Sequence, residues 1–208
     1  SGVPAGADGR LTAIGHESWS GNLRGGRSEP TTLSTRALYA GANRMTAVRL
    51  AVLDLAEGNA MRAPGEAPGM MALEVAMDEL AERVGMDPVQ LRIVNDTQVD
   101  PEQPQRPFST RPFIACLRSG AQRFGWSQRN PTPASVRDGH WLIGMGMAAA
   151  IRGAPISKAA ARARLDRSGT LTIETDMTDI GTGSYTIVAQ TAAELLGLPL
   201  HQVVVRLG

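Results

Sequence analysis

Apolar and polar residues follow regular patterns over much of the chain, and these patterns predict both strands and helices. Alternation within 44–55 predicts a half-buried strand, because successive side chains of a strand point to opposite faces. The range 10–19 follows an Asp-Gly turn signal and predicts another strand. Residues 20–33 are rich in Gly, Ser, Thr and Arg and predict a loop, whereas 36–39 predicts a short extended segment.

Helical periodicity is strongest over 69–84, which Gly85 is expected to end. This range contains apolar residues spaced four, three and four apart, which share one helix face: Leu73, Met77, Leu80 and Val84. Asp87 is expected to cap a second, short helix with Pro88 in its first position. A third helix is predicted over 110–124. The Pro-rich stretches before and after it, 99–107 and 130–135, are expected to be connections.

The last part of the chain predicts further strands and one more helix. Residues 141–151 form an apolar run that predicts a buried strand. The other elements expected here are a hairpin of 159–165 and 170–175, a loop at 176–183, a helix at 184–196 and a strand at 203–207. Strands and helices are mixed without regular alternation, so we predict an α+β fold with several helices packed on mixed strands.

Length and chain ends suggest how this fold is organised. The 208 residues are expected to form one region, with 1–60 rich in strands, 61–135 helical and 136–208 mixed. The chain begins without Met and stops within a predicted strand, so we expect it to be an internal piece of a longer protein. Such a piece would expose apolar faces and strand edges, and we expect it to self-associate through them.

Composition excludes several classes of function. The 21 basic and 20 acidic residues give a net charge of +1, which indicates neither nucleic acid nor an anionic membrane as a partner. No apolar run is long enough to predict a membrane span. Cys116 is the single cysteine, which excludes an internal disulfide and an iron–sulfur site, and we expect a buried structural thiol. His16, His140 and His201 share no metal-ligand spacing and are expected to be surface or core residues.

A Gly-rich turn before the helix at 184–196 is the first candidate site. Gly181 and Gly183 would let the backbone approach a ligand, and free N–H groups at a helix start favour an anion. Thr182 and Ser184 add hydroxyl donors. The spacing alone favours a plain strand-to-helix turn in which Ser184 caps the helix, because G-x-G is a weak signal.

Two further candidates contain arginine. Arg62 lies in a Pro- and Gly-rich loop and could hold a carboxylate or phosphate, while Glu66 could act as an acid or base. Alternatively, Arg62 is solvated and Glu66 only favours the first turn of a helix. Arg152 ends the apolar run that predicts a buried strand, where a charge is costly unless it is paired. Either a functional role or a structural ion pair would explain Arg152.

Three passages together resemble one enzyme family in order and spacing. They are MRAPGEAPG at 61–69 with MDPVQLR at 86–92, WLIGMG at 141–146 followed by Arg152, and TDIGTGSYT at 178–186. They are similar to the molybdenum-binding subunit of the xanthine dehydrogenase/aldehyde oxidase family, in particular its bacterial aldehyde-oxidising branch. The resemblance covers nearly the whole chain.

This resemblance implies a molybdenum-containing molybdopterin cofactor, in bacteria the cytosine dinucleotide form. The implied reaction is hydroxylation of an aldehyde or aromatic heterocycle with water as the oxygen source. Electrons would leave through partner subunits that carry 2Fe-2S centres and FAD. The cofactor would carry out the chemistry, and the protein would bind, orient and polarise the cofactor and the substrate.

The resemblance also implies roles for particular residues. Gly181, Thr182, Gly183 and Ser184 match the loop that approaches the cofactor, although many relatives have Gln where Thr182 stands. Arg62 matches an arginine beside the molybdenum. Substrate-pocket positions correspond to Arg36, Pro64 and Arg152. Purine-oxidising relatives have an aromatic residue near Pro64, and many relatives have a pocket aromatic at the position of Arg152, so this chain favours aldehydes.

No catalytic residue is expected within the chain itself. The family's catalytic glutamate lies in a Gly-Glu motif downstream of the position of Gly208, and a Gly-Gly-Phe-Gly segment lies upstream of Ser1. The isolated chain is therefore expected to be inactive. Two rival interpretations remain: a non-catalytic domain that packs against other parts or subunits, and part of a purine or nicotinate hydroxylase.

Overall fold

Four helices and four small sheets make up the part of the chain that the computed structural model describes, residues 2–153 and 156–208. The α+β fold class predicted from the sequence is confirmed. The chain forms two compact units, Ser1–Gly153 and Ala154–Gly208. No helix within the described ranges is both long and apolar enough to cross a membrane.

Two long parallel strands begin the first unit. β1 spans Ala13–Asn22 and β2 spans Asn43–Val52, paired in register from Ala13 opposite Asn43 to Asn22 opposite Val52. The two predicted strands are thus confirmed. The unit also contains two short hairpins: β3 at Val99–Asp100 with β4 at Gln103–Pro107, and β5 at Val136–Asp138 with β6 at Trp141–Ile143.

Three helices complete this unit: α1 at Glu66–Val84, α2 at Pro88–Val94 and α3 at Phe113–Phe124. The expected C-terminal end of α1 and the expected start of α2 are confirmed, whereas α1 begins at Glu66, three residues before the predicted start. Gly85 ends α1 in the left-handed conformation that glycine adopts without a Cβ clash. Asp87 caps α2, because its Oδ1 accepts hydrogen bonds from the N–H groups of Val89 at 2.9 Å and Gln90 at 3.0 Å.

One apolar core joins α1 to the first strand and to the segment that precedes β2. The predicted stripe of α1 lies in it, with Leu73 and Met77 fully buried. The remaining buried members are Val3, Leu11, Ile14, Leu38, Tyr39, Ala76, Leu80, Ala81, Leu91 and Ala149. Removing these side chains from water is the main free energy that holds the elements together.

The second unit is a small sheet with one helix. β7 at Arg162–Leu165 pairs antiparallel with β8 at Leu171–Thr175, and β8 pairs parallel with β9 at Val203–Leu207. A parallel pair needs a crossover, which α4 at Ser184–Leu196 provides. The hairpin, the loop, the helix and the last strand predicted for this region are confirmed.

Several predictions about local structure are wrong. The predicted buried strand over 141–151 is a strand only at Trp141–Ile143, and its side chains are exposed. Its partner β5 begins at Val136, which pairs with Ile143, so residues after Ile143 have no partner in this hairpin. The range 36–39 is not extended, because the N–H of Leu38 bonds back to the carbonyl of Ser34 at 2.9 Å. Cys116 is exposed on α3 rather than buried. The predicted connection at 99–107 contains the hairpin of β3 and β4.

Helix α1 approaches the preceding chain so closely that one of its residues must be glycine. A Cβ added to Gly69 would lie 1.8 Å from the carbonyl oxygen of Thr31. Gly69 has no positive φ, so the requirement is steric and not conformational. Gly120 in α3 provides the opposite case, because no atom lies within 4 Å of its added Cβ.

We expect Gly69→Ala to lower the free energy of unfolding by about 2 kcal/mol or more, because the backbone must shift to admit the methyl group. Gly120→Ala is the matched control and should raise it by roughly 0.5–1 kcal/mol, since alanine favours a helix over glycine. Urea denaturation of the two variants and the parent chain measures both changes. Equal effects of the two substitutions would contradict the close approach at Gly69.

Candidate cofactor and substrate site

The loop that precedes α1 has an unusual backbone conformation. Arg62 has a φ of 30° and Ala63 a φ of 51°, a region that side chains other than glycine seldom adopt. Two residues after Ala63, the backbone is tied to another part of the chain, since Gly65 donates its N–H to Oε2 of Glu29 at 2.9 Å. The side chain of Arg62 is exposed. The sequence-predicted anion-binding arginine therefore projects from a loop whose backbone is held in place.

Arg152 lies beside the same loop. Its guanidinium forms an ion pair with the carboxylate of Glu66, the first residue of α1. The Arg152 side chain is 72% exposed, whereas that of Glu66 is 10% exposed. Arg152 thus does not end a buried strand, as the sequence predicted, but it does have the ion-pair partner that was expected as one alternative. Pro64, the third predicted pocket residue, precedes Glu66 by two residues in the chain.

Arg36 is held by a different carboxylate. Its Nε donates to both oxygens of Glu102, at 3.0 and 2.9 Å, and its Nη2 lies 2.8 Å from Oε2. The hydrogen bonds and the charge of Glu102 raise the pKa of Arg36. About half of the Arg36 side chain is exposed. The two predicted pocket arginines are therefore both oriented by glutamates, but by separate ones.

A buried carboxylate that the sequence did not single out lies at the centre of the first unit. Oε1 of Glu74 accepts a hydrogen bond from the hydroxyl of Tyr39 at 2.6 Å. Oε2 accepts hydrogen bonds from Nε of Arg92 at 2.9 Å and from the backbone N–H of Ala149 at 2.5 Å. The side chain of Arg92 has no exposed surface. Glu74 thus binds three separate parts of the chain to α1.

Arg92 is satisfied on its other sides as well. Its Nη1 donates to the carbonyl oxygen of Pro88 at 3.1 Å and lies 2.9 Å from Oδ1 of Asp78, an ion pair without good hydrogen-bond alignment. Burial, with the nearby charge of Glu74, raises the pKa of Tyr39 far above its usual range, so its hydroxyl remains a donor. The sequence signal for this cluster was an acidic residue beside Leu73 on the apolar face of α1.

The Gly-rich turn of the second unit is organised by Asp179. Its Oδ1 accepts the N–H groups of Gly181 at 2.7 Å and Thr182 at 3.0 Å, and its Oδ2 accepts that of Tyr185 at 3.4 Å. These bonds, above all the one from Gly181, lower the pKa of Asp179. The sequence predicted free N–H groups here, but these three donate to an internal carboxylate. Ser184 is not the cap, because Gly183 occupies that position.

The same turn is open to ligands on its outer side. Gly181 and Gly183 have φ of 92° and 82°, and no atom lies within 4 Å of a Cβ added to either. The hydroxyls of Thr182 and Ser184 lie 3.1 Å apart. Positive φ requires glycine at both positions, and the open space leaves room for a ligand against the backbone.

Other parts of the described chain do not provide a rival centre. Within the ranges 2–153 and 156–208, no cluster of three or more metal-ligating side chains occurs. His16 is a buried core residue whose Nδ1 lies 2.7 Å from Oγ1 of Thr35, and burial lowers its pKa. A cavity of about 740 Å³ in the first unit lies between the second half of α1, Trp126 and Met145, and none of the predicted site residues lines it.

Comparison with known proteins agrees with the family suggested by the sequence. Residues 3–96 and 119–208 each match a molybdopterin cofactor-binding domain family. The chain is 65% identical over 206 residues to the aldehyde oxidoreductase molybdenum-binding subunit PaoC of Escherichia coli K12, covering 99% of this chain and 28% of PaoC. It is 29% identical over 158 residues to the putative xanthine dehydrogenase molybdenum-binding subunit XdhA of the same organism, covering 72% of this chain and 21% of XdhA.

A solved structure gives the same result for the fold. Aldehyde oxidoreductase from Desulfovibrio gigas superimposes with a TM-score of 0.64 and 25% sequence identity, over 98% of this chain and 24% of that one. This chain therefore spans less than a third of the length of each of these relatives. The two matched regions together cover most of its residues, and the chain belongs to the molybdopterin cofactor-binding domain family, with aldehyde oxidoreductase and xanthine dehydrogenase molybdenum-binding subunits among its relatives.

Proposed function

We propose that this chain is part of the catalytic subunit of a molybdenum hydroxylase that oxidises aldehydes with water as the oxygen source. The observation that carries the proposal is the 65% identity to PaoC over 99% of the chain, since PaoC is named as an aldehyde oxidoreductase subunit. The two molybdopterin cofactor-binding regions support the cofactor class. The whole activity would need the remainder of a subunit several times longer.

The turn at 181–184 would hold the cofactor through its hydroxyl groups and through close approach to its glycines, because the N–H groups of Gly181 and Thr182 already donate to Asp179. Its outer side is open, its glycines admit close approach, and Thr182 and Ser184 present two hydroxyls. Such a donor set fits the polar pterin or pyrophosphate parts of a molybdopterin dinucleotide, for which we propose the cytosine form. When bound, the cofactor would supply the redox chemistry, and the turn would only bind and orient it.

Arg62 would supply positive charge to a molybdopterin cofactor. Its side chain is exposed, and the loop that carries it is fixed by Glu29 through Gly65. A guanidinium can donate two parallel hydrogen bonds to a phosphate or carboxylate, so a fixed loop would favour one orientation of the ligand.

Arg36, Pro64 and Arg152 would shape the substrate pocket. Both guanidiniums are oriented by glutamates, and Arg152 presents most of its side chain to solvent. Oriented donors bind a polar substrate at a lower entropic cost than mobile ones. Neither Pro64 nor Arg152 offers an aromatic face for stacking, which favours aldehydes over purines as substrates.

The remaining parts of the enzyme are proposed to come from outside residues 1–208. The resemblance places the family's catalytic glutamate downstream of the position of Gly208, so the general base would belong to another part of the subunit. Electron transfer would require iron–sulfur and FAD-binding subunits as partners. The chain itself offers a single, exposed cysteine and cannot ligate a cluster with cysteines alone.

A packing domain without a direct role in catalysis is the second candidate. The observation in its favour is the exposed apolar surface of α4, where Ile187, Leu195 and Leu196 are 59%, 79% and 56% exposed. Such surfaces usually become buried against other protein. This interpretation predicts that 181–184 has no influence on the cofactor content of the enzyme.

The decisive experiment uses the full-length parent subunit purified with its partners. Elemental analysis for molybdenum, release of the nucleotide by acid, and oxidation rates with benzaldehyde and xanthine test the proposal in separate steps. Molybdenum, a cytosine nucleotide and faster oxidation of benzaldehyde are expected. A subunit without molybdenum would refute the proposed function. Faster oxidation of xanthine than of benzaldehyde would identify the enzyme as a purine hydroxylase instead.

We expect Gly183→Val in the parent enzyme to abolish most of its molybdenum content, because the side chain is strained at this φ and fills the open side of the turn. Gly197→Val is the matched control, since Gly197 also has positive φ, at the other end of α4. Both substitutions carry about 1–3 kcal/mol of backbone strain, so stability alone cannot distinguish them. Equal molybdenum content in the two variants would contradict a cofactor role for 181–184.

We expect Asp179→Asn to loosen the turn, because a neutral amide accepts the N–H groups of Gly181 and Thr182 less strongly than a carboxylate. Amide hydrogen exchange over 180–185 should accelerate several-fold, whereas the exposed Asp176→Asn should change nothing. The folded chain lowers the pKa of Asp179 below its ordinary value of 3.8. The stabilisation by its hydrogen bonds is therefore fully present above pH 3.8 and is lost as the pH falls through the pKa of the folded state. An exchange rate equal to that of the parent would contradict the role of Asp179.

A further inference from the structure

One buried carboxylate connects the two segments that carry the proposed pocket arginines. Tyr39, whose hydroxyl donates to Oε1 of Glu74, follows Arg36 by three residues. Ala149, whose N–H donates to Oε2, precedes Arg152 by three residues. Neither segment belongs to a regular helix or strand, so the ladder bonds of secondary structure do not fix their positions. Glu74 supplies that constraint from the middle of α1.

The second segment is attached to α1 at both of its ends. Its backbone is held at Ala149 by Glu74, and the side chain of Arg152 is held by Glu66. A displacement at Ala149 would therefore be transmitted over three residues to the guanidinium or would break its ion pair. The first segment has a similar arrangement, with Tyr39 bound to Glu74 and Arg36 bound to Glu102.

The chemistry at this position requires a carboxylate. Three groups donate to it: the hydroxyl of Tyr39, the guanidinium of Arg92 and the N–H of Ala149. Two carboxylate oxygens can accept all three, whereas a glutamine has one acceptor oxygen and turns the other position into a donor. Arg92 is fully buried, so when Glu74 becomes neutral Arg92 loses its buried counter-charge and keeps only the half-exposed Asp78.

We propose that Glu74 is a positioning residue for the substrate pocket, acting on Arg36 through Tyr39 and on Arg152 through Ala149. The inference rests on the proposed substrate role of those two arginines. Glu74 touches neither substrate nor cofactor in this scheme. Its effect on turnover is therefore indirect and should depend on the presence of the arginines.

The first test compares Glu74→Gln with the parent enzyme, using benzaldehyde as the substrate probe. We expect a roughly tenfold to hundredfold loss of kcat/KM, mainly through KM, because misplaced orienting groups weaken substrate binding at normal cofactor content. Glu79→Gln is the matched control on the same helix. Glu79 is exposed, and its ion pair with Arg83 is long at 4.0 Å. An unchanged KM in a folded, molybdenum-loaded Glu74→Gln enzyme would overturn the proposal.

A double-mutant cycle separates positioning from general destabilisation. If Glu74 acts partly through Arg152, adding Glu74→Gln to Arg152→Ala should raise KM by much less than it does in the parent. Tyr39→Phe is a milder variant that removes only the hydrogen bond on the side of Arg36. Its effect on KM should disappear in an Arg36→Ala background and persist in an Arg152→Ala background. Fully additive effects in these cycles would overturn the proposal.

Hydrogen exchange distinguishes a failure of this inference from a failure of the proposed function. In Glu74→Gln, amide exchange should accelerate over 34–40 and 146–152, and it should remain at the parental rate in Glu79→Gln. Accelerated exchange in an enzyme that does not oxidise aldehydes would refute the proposed function alone. Parental exchange over both segments would overturn the role of Glu74, whatever the substrate of the enzyme.

Discussion

The buried contact between Glu74 and Arg92 is the interaction on which the first unit depends. It joins α1 to α2, and the same carboxylate accepts bonds from Tyr39 and Ala149. Removing Glu74 would leave the fully buried Arg92 with only the half-exposed Asp78 as a counter-charge, and breaking a buried pair in this way costs at most about 3–5 kcal/mol. An apolar substitute could fill the same volume but could not bind three donors. The ion pair therefore determines which segments meet, whereas the surrounding aliphatic core determines how strongly they associate.

The second unit is organised by different means. Within residues 156–208 its core is small, with Leu171, Ile173 and Ala193 buried. Burial of apolar side chains alone therefore offers little stabilisation. Local hydrogen bonds to Asp179 order its Gly-rich turn instead. Such a turn is ordered before any ligand arrives, which lowers the entropic cost of binding. The exposed apolar side chains of α4 agree with a piece that represents 28% of the length of PaoC.

Carboxylates orient the candidate functional groups throughout the chain. Glu66 and Glu102 bind Arg152 and Arg36, and Glu29 fixes the loop of Arg62 through Gly65. Each acidic residue limits the conformations of a loop that has no regular secondary structure. Loops can carry function when a rigid scaffold positions them. In the first unit, contacts between side chains and the loops do much of that positioning.

The sequence by itself determined the family, the fold class and the helices with strong periodicity. Local signals suffice for these features: the apolar stripe of α1, Asp87 before Pro88, and glycine at the helix ends. The Gly-rich turn was also found from the sequence, but not its organisation by Asp179. Only tertiary structure decided that the apolar run after Ile143 is not a strand, because a strand needs a partner that the sequence pattern does not specify. The same holds for Glu74, whose three donors lie 18 to 75 residues away and meet only when the chain folds.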